Sequence, residues 1–273
     1  MTVIEKLDSL KKLLSSWGSC ALAFSGGVDS TFLLAVAEEV LGARCLAVIA
    51  TSSTYPKREY ESALAWVQAL GIPFEILTSE ELDIPGFSEN PSDRCYFCKK
   101  ELFSKIQKAA QERGIRVVAD GTNFDDTGDF RPGMKATKEL GIRSPLLECG
   151  LTKEDIRALS REVYRLPTAE RQSMACMASR IPYGSAVTRE KLMQVETVED
   201  YLAGKGFREY RARHHGDLLR IELGREEMAR LLDGAMKEEL VSVAKQAGFV
   251  YVTLDLQGFR SGSMNEPLKR DSR

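Results

Sequence analysis

The 273-residue chain lacks a long apolar run. No stretch approaches the roughly 18 residues that cross a bilayer, and the opening residues, Met1 to Leu7, carry no apolar signal segment. These absences predict a cytoplasmic protein with no membrane partner. Charge of one sign is also missing: 38 Lys and Arg stand against 40 Asp and Glu, a formal net charge of −2. The electrostatic footprint of a chain that grips a nucleic-acid backbone is therefore absent, and no nucleic-acid partner is expected. Histidine is scarce, with two adjacent residues, His214 and His215. On a strand they point to opposite faces and cannot chelate one ion together. Neither the Walker G-x-x-x-x-G-K-[ST] pattern nor G-x-G-x-x-G occurs, which excludes the usual P-loop and dinucleotide readings. Cysteine is present, six residues in all. In a long chain without a secretion signal they point to reduced thiols, metal ligands or chemistry rather than a disulfide frame.

What the sequence does contain is organised around Phe24-Ser25-Gly26-Gly27-Val28-Asp29-Ser30, between an apolar run (Ala21 to Phe24) and an amphipathic one (Thr31 to Ala37). A strand that stops in Ser-Gly-Gly and re-enters as a helix aims several free N–H groups and the positive helix end at one spot, which suits phosphate. Gly26 and Gly27 let the backbone close around oxygens, and Ser25 and Ser30 add hydroxyl donors. Asp29 beside such a cradle needs a cation between itself and the ligand and is read as a Mg²⁺ partner. The same residues also spell an ordinary tight turn with a helix cap; the flanking strand and helix favour the phosphate reading.

Apolar periodicity predicts a helix over 3–16, strands over 20–24, 45–50, 73–77 and 117–120, and helices to Leu41, over 59–70 and 99–113, with Gly42 and Gly71 as stops. Strands alternating with helices mean a doubly wound parallel α/β sheet, whose ligands sit at the carboxyl ends of its strands. Asp120-Gly121-Thr122-Asn123-Phe124-Asp125-Asp126 falls at that edge and is read as the second half of a magnesium and phosphate site, with Gly121 and Asp126 named for the nucleotide. Arg131 follows in Arg131-Pro132-Gly133. Thr152 to about Leu166 is a helix with a Thr cap. The first domain is placed at 1–168, a linker at 169–184, and a smaller α+β domain at 185–273. That last domain holds a helix from Val187, a hairpin around His215-Gly216-Asp217, a helical stretch broken near Gly234 and a final strand, 249–255. Arg211 and Arg213 share a strand face suited to phosphate or carboxylate, with a surface salt-bridged strand as the alternative.

Three cysteines stand apart. Cys95 and Cys98 form a Cys-x-x-Cys placed just before a helix, compatible with zinc, an iron–sulfur cluster, a redox pair or coincidence. Cys176 lies in the linker beside Arg180, with Arg171 nearby, where positive charge favours thiolate. Cys20 and Cys45 fall inside strands and are assigned to the core.

The Ser25–Ser30 loop resembles that of the N-type ATP pyrophosphatases, the PP-loop superfamily with the adenine nucleotide alpha hydrolase-like fold. Together with Asp120 to Asn123, Arg131-Pro132-Gly133, Cys176-x-x-Ser179-Arg180-Ile181-Pro182-Tyr183-Gly184, Arg211-x-Arg213 and Gly258-Phe259-Arg260-Ser261-Gly262, it resembles the LarE family of ATP-dependent sulfur transferases. The resemblance implies that ATP with Mg²⁺ adenylates a carboxylate of a pyridinium dicarboxylate mononucleotide and that a cysteine-borne sulfur displaces AMP. It implies that Ser25, Gly27, Asp29 and Ser30 hold ATP and Mg²⁺, that Cys176 delivers sulfur, and that Ser179, Arg180, Arg211 and Arg213 hold the substrate phosphate. Cys95, Cys98 and Cys176 together imply the version with a [4Fe–4S] cluster, and the family implies a homo-oligomer. Competing readings are an amide-forming synthetase, a tRNA-thiolating enzyme and a nucleotide sensor without turnover.

Overall fold

A computed structural model describes residues 1–128, 132–172, 175–232, 234–260 and 262–266; Arg131 and Ser261 lie outside them. The chain divides into two compact units, one made of Met1–Ile84 with Asp93–Met174, the other of Pro85–Ser92 with Ala175–Arg273.

In the first unit, α1 (Val3–Trp17), β1 (Cys20–Ala23), α2 (Val28–Leu41), β2 (Cys45–Thr51), α3 (Lys57–Leu70), β3 (Phe74–Thr78), α4 (Arg94–Glu112), β4 (Val118–Ala119), α5 (Gly133–Glu139), α6 (Pro145–Glu148) and α7 (Lys153–Glu162) follow in order. The four strands are all parallel, in the order β3-β2-β1-β4. Alternation along the strands sorts the core to two faces. Cys20, Leu22, Ala47 and Ile49 join Leu10, Leu14, Phe32, Leu33, Ala63 and Val67 of α1 to α3. Ala21, Leu46, Val48 and Val118 join Phe103, Ile106 and Ala110 of α4 on the other face. Helices on both faces explain why β1 and β2 read as unbroken apolar runs. Cys20 and Cys45 are fully buried register partners on β1 and β2, as their strand positions imply.

Chain order reverses between β1 and β4, and the crevice at the carboxyl ends of such a pair is where open α/β sheets bind ligands. The Ser25 loop leaves β1 there and the Gly121 loop leaves β4.

The second unit contains α8 (Arg189–Gly204), β5 (Tyr210–His215), β6 (Leu218–Leu223), α9 (Arg225–Leu232), α10 (Ala235–Gln246) and β7 (Tyr251–Leu254). Its mixed sheet runs β5-β6-β7, the first pair antiparallel and the second parallel. The residues read as a linker divide between the units, and 175–184 fold with the second as a 3₁₀ turn, Met177–Arg180, and its flanks. Residues 85–92 join the same unit without any sequence signal. Asn90, fully buried at a left-handed φ of 58°, donates its amide to the carbonyls of Ile181 (3.1 Å) and Pro182 (2.7 Å).

Candidate active site

The first set of residues surrounds the Ser25 loop. The helix begins three residues earlier than periodicity predicts, at Val28, so Asp29 and Ser30 occupy its first turn, and its N-cap, Gly27, supplies no side-chain cap. The opening N–H groups are left for an anion. Ser30 Oγ donates to Gly27 O (3.2 Å) and stands 3.2 Å from Ser25 Oγ. Gly26 has φ +64°, and a Cβ there would meet Ala63 Cβ at 3.1 Å, so two requirements select glycine. The loop is braced from behind: Tyr55 donates its hydroxyl to Ser25 O (2.6 Å), and Arg171 donates to Gly26 O (3.2 Å) while paired with the buried Glu59 (2.8 Å). Arg171, expected to assist Cys176, is thus spent on the phosphate loop.

Gly121 has a different task. A Cβ would lie 3.1 Å from Ser30 N and 3.3 Å from Ser30 Cα, so glycine lets the β4 loop press on the first turn of α2. The carboxylates beside it are tied down. Asp120 accepts from Thr122 N (3.1 Å), Thr122 Oγ1 (2.7 Å) and Ser144 Oγ (2.7 Å). Asp125 accepts from Lys153 N (2.8 Å), and Asp126 from Asn123 N (3.1 Å). In the loop read as the second half of a magnesium and phosphate site, Asp120 and Asp125 are engaged by the loop itself and by the first N–H of α7. Asp29 fits a cation better. Its Oδ2 is held by a short ion pair to Lys153, whereas Oδ1 is buried with no hydrogen-bond partner. An orphaned carboxylate oxygen in the first turn of α2 suits Mg²⁺.

Lys153 escaped the sequence reading, although a signal existed. A cation at the first position of a helix opposes the macrodipole and needs an anionic partner.

In the second unit, Cys176 is exposed and caps the Met177–Arg180 turn. Arg180 is fully buried. It makes a two-pronged pair with Glu199 (2.9 Å twice) and donates to the carbonyls of Ala175 (2.6 Å) and Cys176 (3.2 Å) and to Ser179 Oγ (3.1 Å). The expectation that Arg180 holds substrate phosphate is corrected: every guanidinium nitrogen is engaged inside the protein, and the residue fixes the backbone carrying Cys176. Glu199 also accepts from Ala212 N (3.0 Å), tying the turn to β5. Its own signal was legible, since it sits within the stripe Val195, Val198, Leu202 of α8 and so had to be buried.

Arg211 and Arg213 are buried, 6% and 5% exposed, not a surface strand. Arg213 donates to Ser179 O (3.0 Å), Glu222 (2.7 Å) and Ser263 Oγ (2.9 Å), with Nε unpartnered. Arg211 donates to Tyr210 O and lies 5.0 Å over the Phe259 ring. Burial, then the neighbouring Arg180 and Arg213 charges, pull the Arg211 guanidinium down to about 10 against the attraction of Glu199. A cationic cluster that depresses its own members welcomes an anion.

A family profile, NAD synthase, matches residues 3–113. A GMP synthase of Aeropyrum pernix is 27% identical over 141 residues, half of this chain and 27% of its own. Those likenesses reach only part of the chain. An uncharacterised protein of Synechocystis is 40% identical across 97% of this chain and 98% of its own. The pyridinium-3,5-bisthiocarboxylic acid mononucleotide synthase of Lactiplantibacillus plantarum is 37% identical across 98% of this chain and 97% of its own. The chain belongs to that synthase family. Membership agrees with the parallel PP-loop sheet of the first unit and with a likeness that runs through both units.

The [4Fe–4S] cluster expected of Cys95, Cys98 and Cys176 finds no support in the structure. Among the described residues no group of three or more His, Cys, Asp or Glu is gathered to hold a metal ion. Among them, too, no helix is long and apolar enough to cross a membrane.

Proposed function

We propose that this enzyme uses ATP to replace carboxylate oxygen by sulfur on pyridinium-3,5-biscarboxylic acid mononucleotide, giving the bisthiocarboxylic acid mononucleotide for a nickel-pincer cofactor. One observation carries the reading: likeness to the synthase runs through both units rather than the nucleotide half alone.

The chemistry follows from the side chains. A carboxylate is a poor electrophile because oxide cannot leave. Attack of its oxygen on the α-phosphorus of ATP expels pyrophosphate and makes AMP the leaving group. Ser25, Gly26, Gly27 and Ser30 cradle the phosphates, Gly121 and Asp126 shape the facing loop, and Lys153 adds charge beside Asp29. Mg²⁺, held by Asp29, would neutralise phosphate charge. Ser179, Arg211 and Arg213 take the substrate phosphate, and Arg180 sets the turn that presents Cys176. The Cys176 thiolate attacks the acyl carbon and AMP departs, leaving a thioester. Loss of the Cys176 Cα proton with cleavage of its Cβ–S bond then releases thiocarboxylate. A second chain, its own Cys176 intact, then treats the other carboxylate in the same way, so one product consumes two chains. Self-association of the chain belongs to the same proposal.

The test is to supply ATP with the dicarboxylate mononucleotide and follow pyrophosphate and the mass of the chain. The expected result is substrate-dependent pyrophosphate release and a chain lighter by about 34 Da, the H₂S lost from one cysteine. Pyrophosphate release indifferent to the dicarboxylate would overturn it.

A further inference from the structure

The glycine pair that lets the Ser25 loop close around oxygens also leaves its backbone free to turn, and two side chains oppose that freedom. Each peptide plane of the turn is gripped by its carbonyl: Tyr55 donates its hydroxyl to Ser25 O, and Arg171 donates Nη1 to Gly26 O. The amides across those planes, Gly26 N–H and Gly27 N–H, have no hydrogen-bond partner among the described residues. In a trans peptide the carbonyl and the following N–H point in opposite directions. A carbonyl held from behind therefore turns the next amide toward the open side of the loop. Glycine's own sterics cannot do this, because a peptide between two glycines rotates with little penalty.

The grip is itself supported. Glu59, Ser62 and Ala63 lie three and four residues apart on one face of α3. Ala63 backs Gly26, Glu59 pairs with Arg171 Nη2, and Ser62 Oγ accepts from Arg171 Nη1 at 3.2 Å. From α7, Arg157 donates to Arg171 O at 2.8 Å, so Arg171 is fixed at its backbone as well as at its fork. Burial, then the Glu59 charge, push the Tyr55 phenol up against the pull of Arg171, and it stays a donor. A hydrogen bond to a peptide oxygen also polarises the group and strengthens its N–H.

We propose that Tyr55 and Arg171 are positioning residues for the nucleotide phosphates: they lock the Ser25–Gly26 and Gly26–Gly27 peptides with both N–H groups facing the ligand, and Glu59 holds Arg171 to that task. The inference rests on the reading of the Ser25 loop as the ATP site. Without the two clamps the same amides turn away part of the time, and a phosphate has to select the minority state, which lowers its apparent affinity.

The experiment measures, by calorimetry on the full chain with Mg²⁺ present, equilibrium binding of α,β-methylene-ATP, which cannot be split between its first two phosphates, and of adenosine, which carries none. Tyr55→Phe removes one hydroxyl and keeps the ring; it should weaken the ATP analogue about fivefold, the scale of one net hydrogen bond, and adenosine by less than about twofold. Arg171→Met should weaken the analogue at least about tenfold. Arg171→Lys, which keeps the charge but cannot grip Glu59 and Gly26 O together, should recover part of that loss. If Arg171→Met does not fold, Tyr55→Phe, which disturbs no charge, decides alone. A merely structural role would weaken both ligands alike. Equal losses for adenosine and the analogue, or variants that bind the analogue as wild type does, would overturn the positioning role and leave the ATP reading standing. A wild-type chain that does not take up the analogue would overturn that reading, and this inference with it.

Discussion

Lys153 and Asp29 form the pair on which nucleotide use turns at the level of single residues. Lys153→Met removes the ammonium, leaving Asp29 half-buried with both oxygens unmet. The expected result is pyrophosphate release slowed by roughly 10²-fold, the scale of losing one charged donor at a reacting phosphate, with folding intact by circular dichroism. A change below twofold would remove Lys153 from the machinery. The Ser25 loop was legible because glycine pairs and hydroxyls carry their chemistry in any context. The task of Arg180 was not. A guanidinium beside a reactive cysteine reads as an anion ligand until Glu199, nineteen positions later, is found closing on it from α8.

Among elements, the reversal of strand order between β1 and β4 brings two loops into backbone contact, and Gly121 is the point of contact. Gly121→Ala forces a Cβ against the Ser30 backbone and is expected to raise the ATP concentration needed for half-maximal pyrophosphate release about tenfold, or roughly 1.4 kcal/mol, without unfolding the sheet. Equal ATP binding in the variant would show that the loops need not touch. Thr152→Ala tests the neighbouring cap: Thr152 accepts from Asp155 N and Asp155 closes the capping box, so loss of about 1 kcal/mol in a urea titration is expected. The helices of this unit followed from periodicity because each has one buried face, and β1 and β2 from apolar runs buried on both faces of the sheet. The start of α4 did not, since its first turn is polar and Asp93, its N-cap, makes no side-chain cap. Residues 85–92 were illegible for another reason: Asn90 earns burial through two distant carbonyls, which leave no mark on its own neighbourhood.

Over the whole molecule, the two units differ in how they are held. The first is an apolar double-faced sheet; the second buries Arg180, Glu199, Arg211, Arg213 and Glu222 together. Burial by itself would push the Glu199 carboxyl up, but Arg180 and then Arg211 hold it below the ordinary value of 4.5. A folded value below the unfolded one gives stability that is present above pH 4.5 and lost as pH falls through the folded value. Glu199→Gln, which leaves Arg180 buried without its counter-charge, is expected to cost about 3–5 kcal/mol near neutral pH. Its stability should fall less steeply than wild type on acidification in urea titrations from pH 6 downward, to roughly pH 3; parallel curves would deny the ion pair its role. Net charge and the absence of long apolar runs bounded what the chain does, yet the division at 84/93 and 174/175 follows from contacts that composition does not record.

The most direct measurement is product formation by Cys176→Ala, with ATP labelled at the α-phosphate and the pyridinium dicarboxylate mononucleotide in a single turnover. The account predicts that the variant still releases pyrophosphate and accumulates the acyl-adenylate, while thiocarboxylate is undetectable; thiocarboxylate at the wild-type level would contradict it.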